Sequence, residues 1–219
     1  MARQAADDGI DVVCATPHIH PDHKIGRGEL AGKVAALNER LEQEGLPTRV
    51  VPGGEVAEPM LPELDDADLR TVSLGQGGRW LLLEPRPGPL GDHLVEAVES
   101  LAQRGFRTIV AHPERHAAAD FRARLEAVCE RGALIQVTAA LVAGGPAAPT
   151  MLDLAQHGLV HLLGSDAHSS HGGRPVALSS GLARLVEIER LAPHGDWIVA
   201  EGPAAIIRGE DVHAPFAPC

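Results

Sequence analysis

Short apolar runs of four or five residues alternate with longer amphipathic stretches along almost the whole chain, and this alternation constrains the fold most. Asp11–Ala15, Thr48–Val51, Trp80–Leu83, Thr108–Val110, Leu134–Val137 and Val160–Leu163 read as strands. Between them, Glu29–Gly45 reads as a helix, with Leu30, Val34, Leu37 and Leu41 at helical spacing and Gly45 as its stop. Asp92–Gln103, Phe121–Arg131, Pro149–His157 and Pro175–Arg190 repeat that pattern, the first three each followed within two residues by a glycine. The Pro-interrupted stretch Ala57–Arg70 has room for one short helix, and Gly144–Pro149 reads as a loop. Strands joined by helical connections imply an α/β fold with a parallel sheet and right-handed crossovers. A closed barrel and an open sheet both satisfy this count. With 219 residues and no internal linker, the chain reads as one domain, 1–219.

Chemically capable residues stand just past the strands. Strand one runs into Thr16-Pro17-His18-Ile19-His20, strand two into Gly53-Gly54-Glu55, and strand three ends at Glu84. Strand four runs into His112-Pro113-Glu114-Arg115-His116 and strand six into Gly164-Ser165-Asp166-Ala167-His168. Parallel strands bring their C-terminal ends to one face, the face that carries active sites in βα barrels. A lone His or Glu after a strand is usually a loop residue, but coincidence with the βα repeat makes a joint role the better reading. Imidazoles and carboxylates without thiolates suit Zn, Mn or Fe. Ligands spread over five strands are too many for one ion, so a site of two or three divalent metals is expected. His20, His23, His116 and His171 flank the motifs, whereas His93, His157, His161, His194 and His213 fall at helix, strand or tail positions.

Other classes are disfavoured. The net charge of −11, from 30 acidic and 19 basic residues, argues against a nucleic-acid surface. The three cysteines, Cys14, Cys129 and Cys219, form no framework, which suits a reducing compartment. Six residues after Cys14 stands His20, and six after Cys129 stands Ile135, so the arginine a phosphocysteine loop requires is missing. Gly75–Gly78 lacks the Lys-Ser/Thr of a nucleotide P-loop. No signal peptide or membrane-spanning run is seen, and a cytoplasmic location is expected.

The motifs Ala15-Thr16-Pro17-His18, Gly54-Glu55-Val56, Glu84-Pro85, Ala111-His112-Pro113-Glu114-Arg115 and Gly164-Ser165-Asp166-Ala167-His168 stand in an order that resembles the polymerase and histidinol phosphatase (PHP) superfamily. The AHPER run most resembles its capsule-type bacterial protein-tyrosine phosphatases, the CpsB/CapC branch. The tail Glu201–Ile207 is similar to that branch's closing segment, with Gly202 where Asn usually stands. The resemblance covers essentially the whole chain. It implies a distorted seven-stranded βα barrel holding up to three metals, often manganese. Glu55 would bridge two ions, Glu84, His112 and Asp166 would complete that pair, and His18 and His168 would serve a third. Arg115 would grip the substrate phosphate, as suits a guanidinium fork, with Arg174 as a second candidate. A metal-bound water or a nearby imidazole, His168, would protonate the leaving phenolate. A phosphotyrosine protein, in particular a bacterial tyrosine kinase controlling polysaccharide export, would be the partner.

The family opens with a strand carrying His-x-His, whereas Met1–Ile10 resembles the end of the family's first helix. The expectation is therefore a barrel whose first strand is missing from this chain, with Met1 an internal position of a longer reading frame. A fragment or a degenerate member is the alternative. Taken as it stands, such a chain would have two free strand edges and a weakened first metal site. Other PHP hydrolases, such as a histidinol phosphatase or a phosphodiesterase, and a non-catalytic PHP protein are the rival functions.

Overall fold

A computed structural model describes residues 1–23, 25–116, 118 and 120–216; Cys219 lies outside them. The strands are β1 (Val12–Ala15), β2 (His18–Ile19), β3 (Arg49–Pro52), β4 (Glu55–Ala57), β5 (Trp80–Glu84), β6 (Arg107–Ala111), β7 (Leu134–Thr138) and β8 (Leu162–Gly164). The helices are α1 (Ala2–Asp7), α2 (Leu30–Gln43), α3 (Asp66–Val72), α4 (Asp92–Gln103), α5 (Phe121–Cys129), α6 (Ala139–Ala143), α7 (Ala148–Gln156), α8 (Ser179–Leu185) and α9 (Gly202–Ile207). Every described strand pair is parallel. One six-stranded sheet runs β2-β4-β5-β6-β7-β8 in chain order, and β1 pairs with β3 beside it. Leu81, Leu83, Val110, Ile135 and Val137 on one face and Leu82, Ile109, Leu134 and Leu162 on the other are all buried. Burial on both faces explains why these strands read as continuous apolar runs without alternation.

The six expected strands become eight segments because the first two break. Pro17 has no N–H to give a ladder, so β1 stops before it and His18 begins β2 instead of lying in a loop. Opposite that break lie Gly53 and Gly54. A Cβ on Gly53 would come 2.9 Å from Cys14 Sγ, and one on Gly54 2.9 Å from Ile19 Cγ1. The two glycines therefore mark a close approach of backbones at the step between the sheets.

The helices depart from expectation in three places. Pro175–Arg190 shortens to α8, because the Asp8 carboxylate accepts the backbone N–H groups of Leu178 (2.6 Å) and Ser179 (3.1 Å) and fixes the helix start there. On α2, Leu30 and Leu41 are buried, but Leu37 is 42% exposed, so the expected apolar stripe is narrower than four residues. Among the elements not anticipated are α6, α9 and the π-helical turn Trp197–Glu201. Asp92–Gln103 forms as expected, and Ala57–Arg70 holds a 3₁₀ turn (Glu58–Glu63) before α3.

The C-terminal segment packs against the start of β5, where the buried Trp80 indole donates to the Glu210 carbonyl (2.7 Å) and Arg107 lies over its ring. That packing lies at the N-terminal ends of the strands, opposite the motif residues. None of the described helices is long and apolar enough to cross a membrane.

One buried histidine belongs to the scaffold. His161 accepts the Ile135 N–H at Nδ1 (2.9 Å), and burial pushes its imidazole down from 6.5 to about 4. The folded chain keeps it neutral where the unfolded chain takes a proton. Stability is therefore lost as pH falls from 6.5 toward about 4, by on the order of 3 kcal/mol from this residue. Urea unfolding at pH 7 and 4.5 should show that loss, and His161→Gln should reduce the difference between the two pH values.

Candidate metal centre

The residues singled out at the strand ends converge. His18 and Glu55 are register partners on β2 and β4, and Glu84 closes β5 two residues beyond Glu55's register partner Leu82, on the same face. His112 follows β6, and Asp166 and His168 follow β8. Glu55 is 5% exposed and lies between two imidazoles: its Oε2 is 2.8 Å from His18 Nδ1 and its Oε1 2.8 Å from His112 Nε2. Glu84 stands 3.8 Å from each of the same two nitrogens. Asp166 receives two guanidiniums on Oδ2, Arg115 Nη2 at 2.6 Å and Arg174 Nη2 at 2.7 Å. Arg115 also reaches Glu84 (3.7 Å), and Arg174 Nε donates to the Asp166 carbonyl (2.9 Å). His168 Nε2 lies 3.0 Å from His18 Nε2. That contact brings the segment past β8, at one edge of the six-stranded sheet, against β2 at the other edge, so the sheet curves around the site.

Charge and burial oppose each other here. Burial pushes the Glu55 carboxyl up, but His112, His18 and Arg115 overcome it and hold the group below its ordinary value. Burial pushes His112 down, and the Glu55 carboxylate more than reverses this. His112 (φ +31°) and Asp166 (φ +47°) both occupy the left-handed region without being glycine. Such strain collects where a side chain must be aimed and its surroundings hold it.

A divalent cation fits these residues. Donor atoms of His18, Glu55 and Glu84 lie within 4.8 Å of one another. All donors are nitrogen or oxygen. His112 turns Nε2 toward Glu55 and Glu84, and its Nδ1 is buried with no hydrogen-bond partner among the described residues.

Residues 1–207 match the family described as capsular polysaccharide synthesis, CpsB/CapC. The chain belongs to the CpsB/CapC family. The tyrosine-protein phosphatase YwqE of Bacillus subtilis (strain 168) is 31% identical to it over 175 residues, 77% of this chain and 68% of that protein. A chain from the crystal structures of YwqE from Bacillus subtilis and CpsB from Streptococcus pneumoniae, described as unique metal-dependent tyrosine phosphatases, superposes with a TM-score of 0.84 at 25% identity. That match covers 100% of this chain and 90% of the other. The curled parallel sheet is thus the PHP-type α/β fold of CpsB/CapC proteins.

Other residues of this CpsB/CapC chain sort themselves by contact. His23 stacks on His18, with ring centroids 5.5 Å apart, and His20 lies 5.8 Å from His23, so both line the exposed rim. His171 touches Ser170, while His116 is buried and bound to the Gly88 carbonyl. Burial drives the thiols of Cys14 and Cys129 up to about 11 and about 12, the reverse of what a nucleophilic thiolate needs. Sequence reading missed Gln136, which shares the sheet face of Glu55 and Glu84 through the register of β4 to β7. A Cβ on Gly164 would come 2.5 Å from its amide, so glycine leaves that side chain its space. Sequence reading also missed Glu58, which is buried just past β4 with no local pattern to mark it.

Proposed function

We propose that this CpsB/CapC member is a metal-dependent phosphomonoesterase acting on protein phosphotyrosine. The observation that carries the reading is the convergence of three imidazoles, three carboxylates and two guanidiniums at one end of the sheet. His18, Glu55, Glu84, His112, Asp166 and His168 would hold two or three divalent ions, manganese first, with iron or zinc as the other candidates. Glu55, reached by imidazoles on both oxygens, is the bridging ligand of the proposal. When bound, such ions supply Lewis-acid charge to phosphoryl oxygens and make a water acidic enough to attack phosphorus.

The chain's own residues supply the rest. Arg115 and Arg174 bring planar, permanently charged forks to the mouth of the site, the geometry that grips phosphate oxygens and offsets charge developing on them. His168 is 54% exposed at that mouth, where its imidazole, when protonated and not holding a metal, would return a proton to the leaving phenolate; with His168 on a metal, a metal-bound water would supply that proton. We take the phosphoprotein to be a bacterial tyrosine kinase of polysaccharide export, met in the cytoplasm; the family description, capsular polysaccharide synthesis, supports the link to polysaccharide. The similarity to YwqE supports tyrosine specificity. We read residues 1–219 as the single domain that does this.

The substrate class is tested by kcat/KM of the Mn²⁺-loaded chain on a phosphotyrosine peptide, histidinol phosphate and a phosphodiester. The phosphotyrosine peptide is expected to lead by at least about tenfold, a margin of about 1.4 kcal/mol in transition-state binding. Preference for either of the others would move the assignment to another PHP hydrolase.

A further inference from the structure

Three residues past Glu55, a second glutamate is buried in the Pro-interrupted stretch Ala57–Arg70, where nothing in the sequence sets it apart. The Glu58 side chain is 2% exposed. Its Oε1 accepts from Arg86 Nε (2.8 Å) and Nη2 (2.5 Å). Its Oε2 accepts from the Arg86 backbone N–H (3.3 Å) and from His93 Nδ1 (3.1 Å). A buried carboxylate costs several kcal/mol of lost hydration unless donors replace the water, and these four contacts do so.

All four donors come from one segment. Arg86 stands two residues past Glu84, and His93 is in the first turn of α4. The middle of that connection is held from another side. His116, 7% exposed, donates through Nδ1 to the Gly88 carbonyl (2.7 Å) and directly follows Arg115. The connection between β5 and α4 is thus fastened at Arg86 to the end of β4, and at Gly88 to the turn that carries Arg115.

We propose that Glu58, acting through Arg86, is a positioning residue for the metal centre: it locks the end of β4 to the end of β5 and so fixes the spacing of the Glu55 and Glu84 carboxylates. The inference rests on reading those two residues as ligands. Ligand carboxylates must be held within about 0.5 Å of productive geometry by groups behind them. Glu58 provides this by gripping backbone and side chain just beyond Glu84, while being itself only three residues beyond Glu55.

The test is Mn²⁺ titration calorimetry on the full chain, wild type against Glu58→Leu and Glu58→Gln, with thermal melting in EDTA run alongside. Leucine removes every acceptor at similar volume and leaves half-exposed Arg86 free to reach water; glutamine keeps one acceptor. We expect Glu58→Leu to bind Mn²⁺ at least about tenfold more weakly, Glu58→Gln to fall between it and wild type, and folded protein in both cases. Arg104→Gln breaks a different ion pair beyond the end of α4, to Asp66 (2.8 Å), and should stay within about twofold of wild type. Folded Glu58 variants that bind Mn²⁺ within about twofold of wild type, even with a lower melting temperature, would overturn the inference and leave the metal reading intact. Should Glu58→Leu fail to fold, Glu58→Gln decides by the same criterion. Wild-type chain that binds no Mn²⁺ would overturn the metal reading and this inference with it.

Discussion

Arg115→Ala is expected to lower kcat/KM on a phosphotyrosine peptide by about 10²- to 10³-fold, with Mn²⁺ affinity and melting temperature close to wild type. The magnitude follows from removing one preorganised charged donor from a transition state that gathers charge on the phosphoryl oxygens, a loss of roughly 3–4 kcal/mol. The fold should tolerate it for a specific reason. Arg115 is 39% exposed, and Asp166, its partner, keeps the second guanidinium of Arg174 on the same oxygen. Arg115→Lys should recover only part of the loss, since an ammonium restores the charge but not the fork. Steady-state kinetics beside Mn²⁺ calorimetry checks both halves. Equal activity in Arg115→Ala would remove this residue from phosphate binding.

Glu55→Gln is expected to weaken Mn²⁺ binding by more than about 100-fold and to abolish hydrolysis with it. Glu55 is the most central donor, with imidazoles of His18 and His112 at 2.8 Å on its two oxygens. Glutamine preserves the shape but removes the charge and one acceptor, so any ion bridged there loses a carboxylate in a site of low water content. The change also acts on His112, whose imidazole the Glu55 carboxylate holds above its ordinary value despite burial. Metal binding needs that imidazole neutral, so in the wild type protons compete with metal and Mn²⁺ affinity should fall as pH drops through the imidazole range. Metal stoichiometry after dialysis, measured at two pH values for wild type and variant, gives the answer directly.

Much of this arrangement was legible because two periodicities coincide. Parallel strands buried on both faces leave unbroken apolar runs such as Trp80–Leu83, and the polar residue after each run had to lie at the C-terminal end of the sheet. That rule gathered the segments that hold His18, Glu55, Glu84, His112, Asp166 and His168; the choice of these six over neighbours such as His20, Glu114 and His116 came from the resemblance to the PHP superfamily. The break at Pro17 has a cause in the sequence, a residue with no N–H for the ladder, although Asp11–Ala15 and the residues after it do not show where the next strand begins. The break at Gly53–Gly54 was not legible, because it follows from the approach of Cys14 and Ile19 to the glycines, a relation between distant segments. The true start of α8 depends on Asp8, 170 residues earlier in the chain, which no local pattern records. Glu58 was missed for a similar reason: it is one of several acidic residues in the Pro-interrupted stretch Ala57–Arg70, and only the arrival of Arg86 and His93 makes its carboxylate internal. Propensity and period describe a segment's own preferences; residues whose role is to hold two segments together are visible only in contacts.

The most direct measurement is phosphate release from a phosphotyrosine peptide by this chain, first after EDTA treatment and desalting, then across a Mn²⁺ titration. The account predicts no release without metal and a rise to saturation as Mn²⁺ is restored. Release that persists in EDTA, or a folded chain that binds Mn²⁺ and liberates no phosphate, would contradict it.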